Sequence, residues 1–316
     1  MIELSPVERV SVIWHSRVIG QLAMTPKRLC AFQYDPEFVR TGHSVSPLKL
    51  PLSDAVQVAT RDPFRGGFGV FDDSLPDGWG ALVLDLFLRR NSIDPASLTL
   101  LQRLAMLGNT GRGALEYAPA FPLQESETLD ITDLAMLSGE ILEAHEITAD
   151  EINAVFAASG SSGGARPKAF VRLQPSASET LASESNVAHS GTPQTVGGQP
   201  DDGEWLVKFP ASSDPTDVGA IEYECSLIAQ ECAIEMSPTR LIAGRHFAAA
   251  RFDRSAAGKI HIVSAAGLLN ADYRMPSLDY ETLLRLTLWL TRDLGQARQM
   301  FTRMILNILI ANRDDH

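Results

Sequence analysis

The sequence predicts an α+β fold built in two parts, and three observations carry that expectation. The chain has 316 residues at 45% apolar content, enough to bury more than one core. Up to about residue 120 it alternates short strand-like runs with turns. Beyond residue 148 it orders helix, glycine-rich loop, strand, strand, helix, strand and helix.

Taking the elements in order, "VSVIWHSRVIGQLAM" reads as a strand, a turn and a strand, and "GALVLDLFLRR" as a helix. These place an N-terminal mixed α/β subdomain at residues 1–122. Residues 123–147 connect it onward, with a polar-faced helix over 130–147. A second domain, 148–316, opens on a capping box: Thr148 and Glu151 stand three apart, followed by Ile152, Val155 and Phe156 on one face. "AFVRL" and "WLVKF" read as strands. Between them, residues 175–203 are rich in Ser, Thr, Gly, Pro and Gln with few large apolar residues, so a mobile connection is expected. Ile221, Cys225, Ile228, Ala229 and Cys232 mark the expected inner face of a helix. "FAAARFDR" and "KIHIVS" follow as strand candidates. Met300, Phe301, Met304, Ile305, Ile308 and Leu309 then predict a buried helix before the closing "NRDDH".

Twenty-seven basic against 39 acidic residues give a net charge of −12, which argues against direct binding to nucleic acid. The N-terminus lacks a cationic start followed by an apolar run, and no stretch approaches a membrane span. The three cysteines form no CxxC pair, and Cys225 and Cys232, seven apart on the expected helix, read as packing in a reducing cytoplasm.

Three stretches carry chemistry. In "SGSSGGARPK", Gly160, Gly163 and Gly164 let backbone N–H groups approach a phosphate and Lys168 adds charge, although a Ser/Gly linker looks similar and Walker A spacing is absent. Lys208, in "WLVKFP", is a strand lysine flanked by apolar residues, with Glu222 and Glu224 on the next helix as candidate ion-pair partners. In "NRDDH", Asp314 and Asp315 follow a helix where a phosphoryl-transfer site needs carboxylates, and His316 stands beside them to brace the loop. The linear order of glycine loop, strand lysine, helix glutamate and loop aspartate is that of a protein kinase.

With "FDDSLPDGWG", "SSGGARPKA", "WLVKFP", "IEYECSLIA", "FAAARFDR" and "NRDDH" taken together, the chain resembles the HipA-type serine/threonine kinase toxins of bacterial toxin–antitoxin pairs. The resemblance implies a protein-kinase-like fold and transfer of the ATP γ-phosphoryl group to a protein serine or threonine, with ATP and Mg²⁺ required. It implies that Ser161, Ser162, Gly163, Gly164 and Ala165 cover the phosphates, that Ser161 is autophosphorylated, and that Lys208 holds phosphate. Ala250, Arg251 and Phe252 would be the hinge against adenine, Asp314 the catalytic base, and Asp315 a substitute metal ligand. The implied partners are a HipB-like helix-turn-helix antitoxin, which alone would bring the chain to DNA, and a substrate such as an aminoacyl-tRNA synthetase. A cytoplasmic location and a part in persistence go with these, and no membrane. "FDDSLPDGWG" reads as a fixed structural turn. In the family "NRDDH" continues into further metal-binding residues and a helical lobe. The expectation is therefore a kinase truncated at its catalytic loop, weak or inactive as written, or an inert remnant that binds only antitoxin or nucleotide.

Overall fold

A computed structural model describes residues 6–121, 129–173, 203–275 and 277–313. The fold is mixed α/β with antiparallel sheets. The first sheet has the order β4-β3-β2-β1-β5, from β1 (Arg9–Trp14), β2 (Arg17–Met24), β3 (Cys30–Tyr34), β4 (Gln57–Val58) and β5 (Leu115–Ala118). The expected strand–turn–strand over 10–24 is present. Its two-residue turn holds His15 and Ser16 at φ 48° and 60°, the left-handed pair that matches strand twist in a tight hairpin. Val10, Val12, Leu22 and Phe32 bury one face of this sheet with Phe68 and Phe71 of the α2 region (Gly69–Asp72) and Leu101 and Leu104 of α4 (Leu100–Leu107).

The second sheet, β6-β7-β9-β8, positions the site. It comprises β6 (Lys168–Arg172), β7 (Glu204–Lys208), β8 (Thr239–Ile242) and β9 (His246–Ala250), all antiparallel. Side chains alternate across a strand, so each strand serves two faces. Ala169, Trp205, Val207, Ala248 and Ala250 face a core made with Trp79, Val83 and Phe87 of α3 (Gly78–Arg90) and Ile152, Val155 and Phe156 of α6 (Ala149–Ser159). Lys168, Phe170, Leu206 and Lys208 are left for the other face. The expected helix at 80–90 is thus α3, and its apolar stripe packs against the second sheet. The polar-faced helix expected over 130–147 is α5 (Ile131–Leu142), which stops short of the expected end. Thr148 caps α6 as expected: Glu151 N–H donates to its hydroxyl at 3.3 Å and the Glu151 carboxylate accepts from Thr148 N–H at 2.8 Å.

Three element readings need correction. In α7 (Val218–Glu231) Ala229 is buried as expected, together with Gly219 and Ser226, while Ile221 and Ile228 are exposed, Cys225 is half-buried and Cys232 lies exposed at the helix end. The helix approaches β8 and β9 closely through small residues, so its largest apolar side chains turn outward. "KIHIVS" contributes only Lys259 to a strand, in the short hairpin of β10 (Arg254–Ser255) and β11 (Gly258–Lys259). After α8 (Ala265–Leu269) and α9 (Tyr280–Thr291), the last helix α10 (Leu294–Leu309) forms where expected but buries none of its residues. It docks through polar groups, among them Asn307 to the Tyr280 hydroxyl at 2.8 Å and Arg303 to the Glu235 carbonyl at 2.8 Å. The segment read as mobile, 175–203, lies outside the described residues apart from Gly203. Among the described residues no helix is long and apolar enough to cross a membrane.

Candidate active site

The open face of the second sheet gathers the predicted charges. Register pairs Lys168 of β6 with Lys208 of β7, so the two ammonium groups stand side by side. Lys208 Nζ lies 2.8 Å from Glu222 Oε2 on α7 and over the Phe247 ring at 5.5 Å. Of the two candidate glutamates, then, Glu222 makes the pair and Glu224 is exposed. Arg166 joins the cluster, 3.4 Å from Glu222 and 3.0 Å from Asp214. The Lys168 ammonium is buried and donates to the Gly163 carbonyl. Burial, then the neighbouring Lys208 charge, lower its pKa from 10.5 to about 8. A basic pair that is only partly neutralised attracts a polyanion.

The glycine-rich loop runs from the end of α6 at Gly160 into β6. Ser161 and Ser162 are buried, Gly163 is half-buried, and Gly164 and Ala165 are exposed. The loop leans on the N-terminal part of the chain. Arg112 N–H donates to Ser161 Oγ at 2.6 Å, Gly164 N–H to Asp77 Oδ1 at 2.5 Å, and Trp79 N–H to the Gly164 carbonyl at 2.9 Å. The Trp79 indole N–H reaches Ser159 Oγ at 3.1 Å and the Lys168 carbonyl at 3.0 Å. Gly164 has φ +80° and Gly78 φ +46°, and a Cβ on Gly78 would fall on the Gly164 carbonyl. "FDDSLPDGWG" is therefore a fixed turn that also serves the loop. Its roles in the site, like those of Arg112, Arg166 and Asp214, were missed in the sequence; only the glycine and aspartate content of that motif hinted at them.

At the predicted hinge, Ala250 N–H donates to the Pro238 carbonyl at 2.9 Å and Arg251 N–H to the Glu204 carbonyl at 2.9 Å. Both backbone N–H groups are thus taken up within the sheet. The Arg251 guanidinium is fixed by Asp253 at 2.8 Å and Glu204 at 2.9 Å and stacks 4.1 Å from the Phe170 ring, so its side chain braces the chain just after β9. Phe252 is exposed. Asp314, Asp315 and His316 lie outside the described residues. Among the described residues no group of three His, Cys, Asp or Glu is placed to hold a metal.

Two family descriptions match the chain. The HipA N-terminal domain matches residues 10–118 and the HipA-like C-terminal domain residues 160–316, the second starting at the glycine-rich loop. Comparison with curated proteins gives no match.

Proposed function

The chain belongs to the HipA family, and from that premise we propose that it is an ATP-dependent serine/threonine protein kinase of the toxin type. The observation that carries the reading is the Lys208–Glu222 ion pair, 2.8 Å across strand and helix, on the open face of an antiparallel sheet. Kinases fix a phosphate-holding lysine in this way. In this reading Lys208 and Lys168 neutralise the phosphates, the arriving anion stabilising the proton that Lys168 holds at neutral pH. Ala250 to Phe252 border the adenine. Asp314 accepts the proton of the attacking hydroxyl, and Ser161 is one such acceptor. Mg²⁺ would supply charge neutralisation at the transferred phosphoryl group; Asp315 is the residue offered for it. A helix-turn-helix antitoxin and a protein substrate such as an aminoacyl-tRNA synthetase are the proposed partners.

The test is ATP binding and phosphate incorporation by the whole chain beside Lys208→Met and Glu222→Gln. Lys208→Met should lower incorporation on the order of a hundredfold, as loss of one aligned electrostatic group does. Glu222→Gln should weaken ATP binding by a smaller factor. Equal labelling by wild type and Lys208→Met would overturn the assignment.

A further inference from the structure

We propose that Asp77 and Arg112, both outside the kinase-like sheet, form a clamp that holds the glycine-rich loop shut, so that Ser161 becomes a phosphate acceptor only when the clamp lets go. The proposal rests on the kinase reading above for its second half alone.

Each loop residue from Ser161 to Gly164 is held by this clamp or the turn beside it. Ser161 is fully buried, its Oγ accepting from Arg112 N–H at 2.6 Å. Ser162 is buried with its hydroxyl unpartnered, its backbone against Gly80. A Cβ on Gly163 would stand 2.7 Å from Arg112 Nη1 and 2.8 Å from Asp77 Oδ1, so both side chains close on the loop at this residue. The Arg112 guanidinium is itself anchored, donating to the Asp73 carbonyl at 2.9 Å.

Asp77 supplies the second line of argument. It occupies the N-cap of α3, where an aspartate ordinarily accepts from N–H groups of its own helix, yet it makes no such bond. Its carboxylate accepts from Gly164 N–H instead, 87 residues away. A phosphate cradle needs loop N–H groups directed at an anion. Here a carboxylate already takes that N–H, and its charge opposes phosphate beside it.

A hydroxyl with no exposure meets no phosphoryl donor. Autophosphorylation would break the β–γ anhydride of ATP, form the bond from Ser161 Oγ to phosphorus and release ADP, with the hydroxyl proton passing to a carboxylate. Ser161 must first leave Arg112, and Gly164 must leave Asp77. The rate of modification then follows the loop-opening equilibrium.

Hydrogen exchange on the whole chain without nucleotide reads the clamp directly. In Asp77→Ala, amides of residues 160–166 should exchange roughly tenfold faster or more, as loss of a charge-assisted hydrogen bond allows. The Arg112 amide, which touches Ser161 and not Asp77, should accelerate with them. Gly78→Ala should act alike by displacing the Gly164 carbonyl, and Asp77→Asn should fall between; protection of α6 and β6 monitors folding. Unchanged exchange at Arg112 and Ser161 in folded Asp77→Ala and Gly78→Ala overturns the clamp. With ATP added, phosphate should appear on Ser161 faster in Asp77→Ala. Faster exchange without faster labelling overturns the gate. Faster exchange with no label on either protein keeps the clamp and removes the kinase reading.

Discussion

Lys168 is the residue at which burial and charge conflict most directly. Its ammonium sits inside the protein beside Lys208, held by one loop carbonyl, and burial lowers its pKa to about 8. The unfolded chain binds that proton up to a pH near 10.5, so holding it costs the folded state stability at every pH below about 8. The cost fades between about 8 and 10.5 as the unfolded lysine also deprotonates. Lys168→Met should thus raise stability at pH 7 by on the order of 1–3 kcal/mol while weakening ATP binding. Denaturant melts at pH 7 and pH 10 check this: a gain that does not shrink at the higher pH contradicts it. Lys168 and the glycines were legible because they share one short stretch. Asp77 and Arg112 were not, since their partners in the loop lie 87 and 49 residues away and no local rule links them.

Among the elements, α7 sets the site because it carries Glu222. It reaches Lys208 only by crossing the β8–β9 hairpin at close range, and Gly219 is where it crosses: a Cβ there would fall on the Arg245 carbonyl. Ser226 Oγ adds a bond to Thr239 Oγ1 at 2.8 Å. Gly219→Ala should therefore cost about 2–4 kcal/mol by overpacking and lengthen the Lys208–Glu222 pair, lowering both the melting midpoint and ATP affinity. An unchanged midpoint would show that the helix tilts freely. The same geometry explains why the inner face of α7 was misread. Apolarity pointed to Ile221 and Ile228, whereas close approach selects small residues. The start of α6 was legible for the opposite reason, since Thr148 and Glu151 satisfy each other within one turn.

At the scale of the molecule, Asp253 joins the two parts of the chain. Its carboxylate accepts from Gly113 N–H at 2.8 Å, Arg251 at 2.8 Å and Arg254 at 2.9 Å, and Arg254 reaches the Gly111 carbonyl at 3.2 Å. Burial pushes the Asp253 pKa up, but the Arg251 bond and charge, the Gly113 N–H and Arg254 outweigh it and hold the pKa below its ordinary 3.8. Its contribution is present above pH 3.8 and is lost as pH falls through the lowered value. Asp253→Ala leaves the Arg251 and Arg254 guanidinium groups to share the Glu204 carboxylate, and should cost about 3 kcal/mol at neutral pH. Thermal melts at pH 7 and pH 3 check it, the difference from wild type narrowing at the lower pH. The order of the elements could be read along the chain, while this joint could not, because Gly113 and Asp253 are 140 residues apart. Trp79 spans the same divide, on α3 with its indole N–H shared between Ser159 and Lys168 on either side of the glycine-rich loop. At 1% exposure its emission belongs at the blue edge of the spectrum, well separated from that of Trp289 at 52%. Trp205, at 3% exposure, shares that blue edge, so in a Trp205→Phe background the chain carries its own optical gauge: a red shift of the blue component follows the loop with no dye attached.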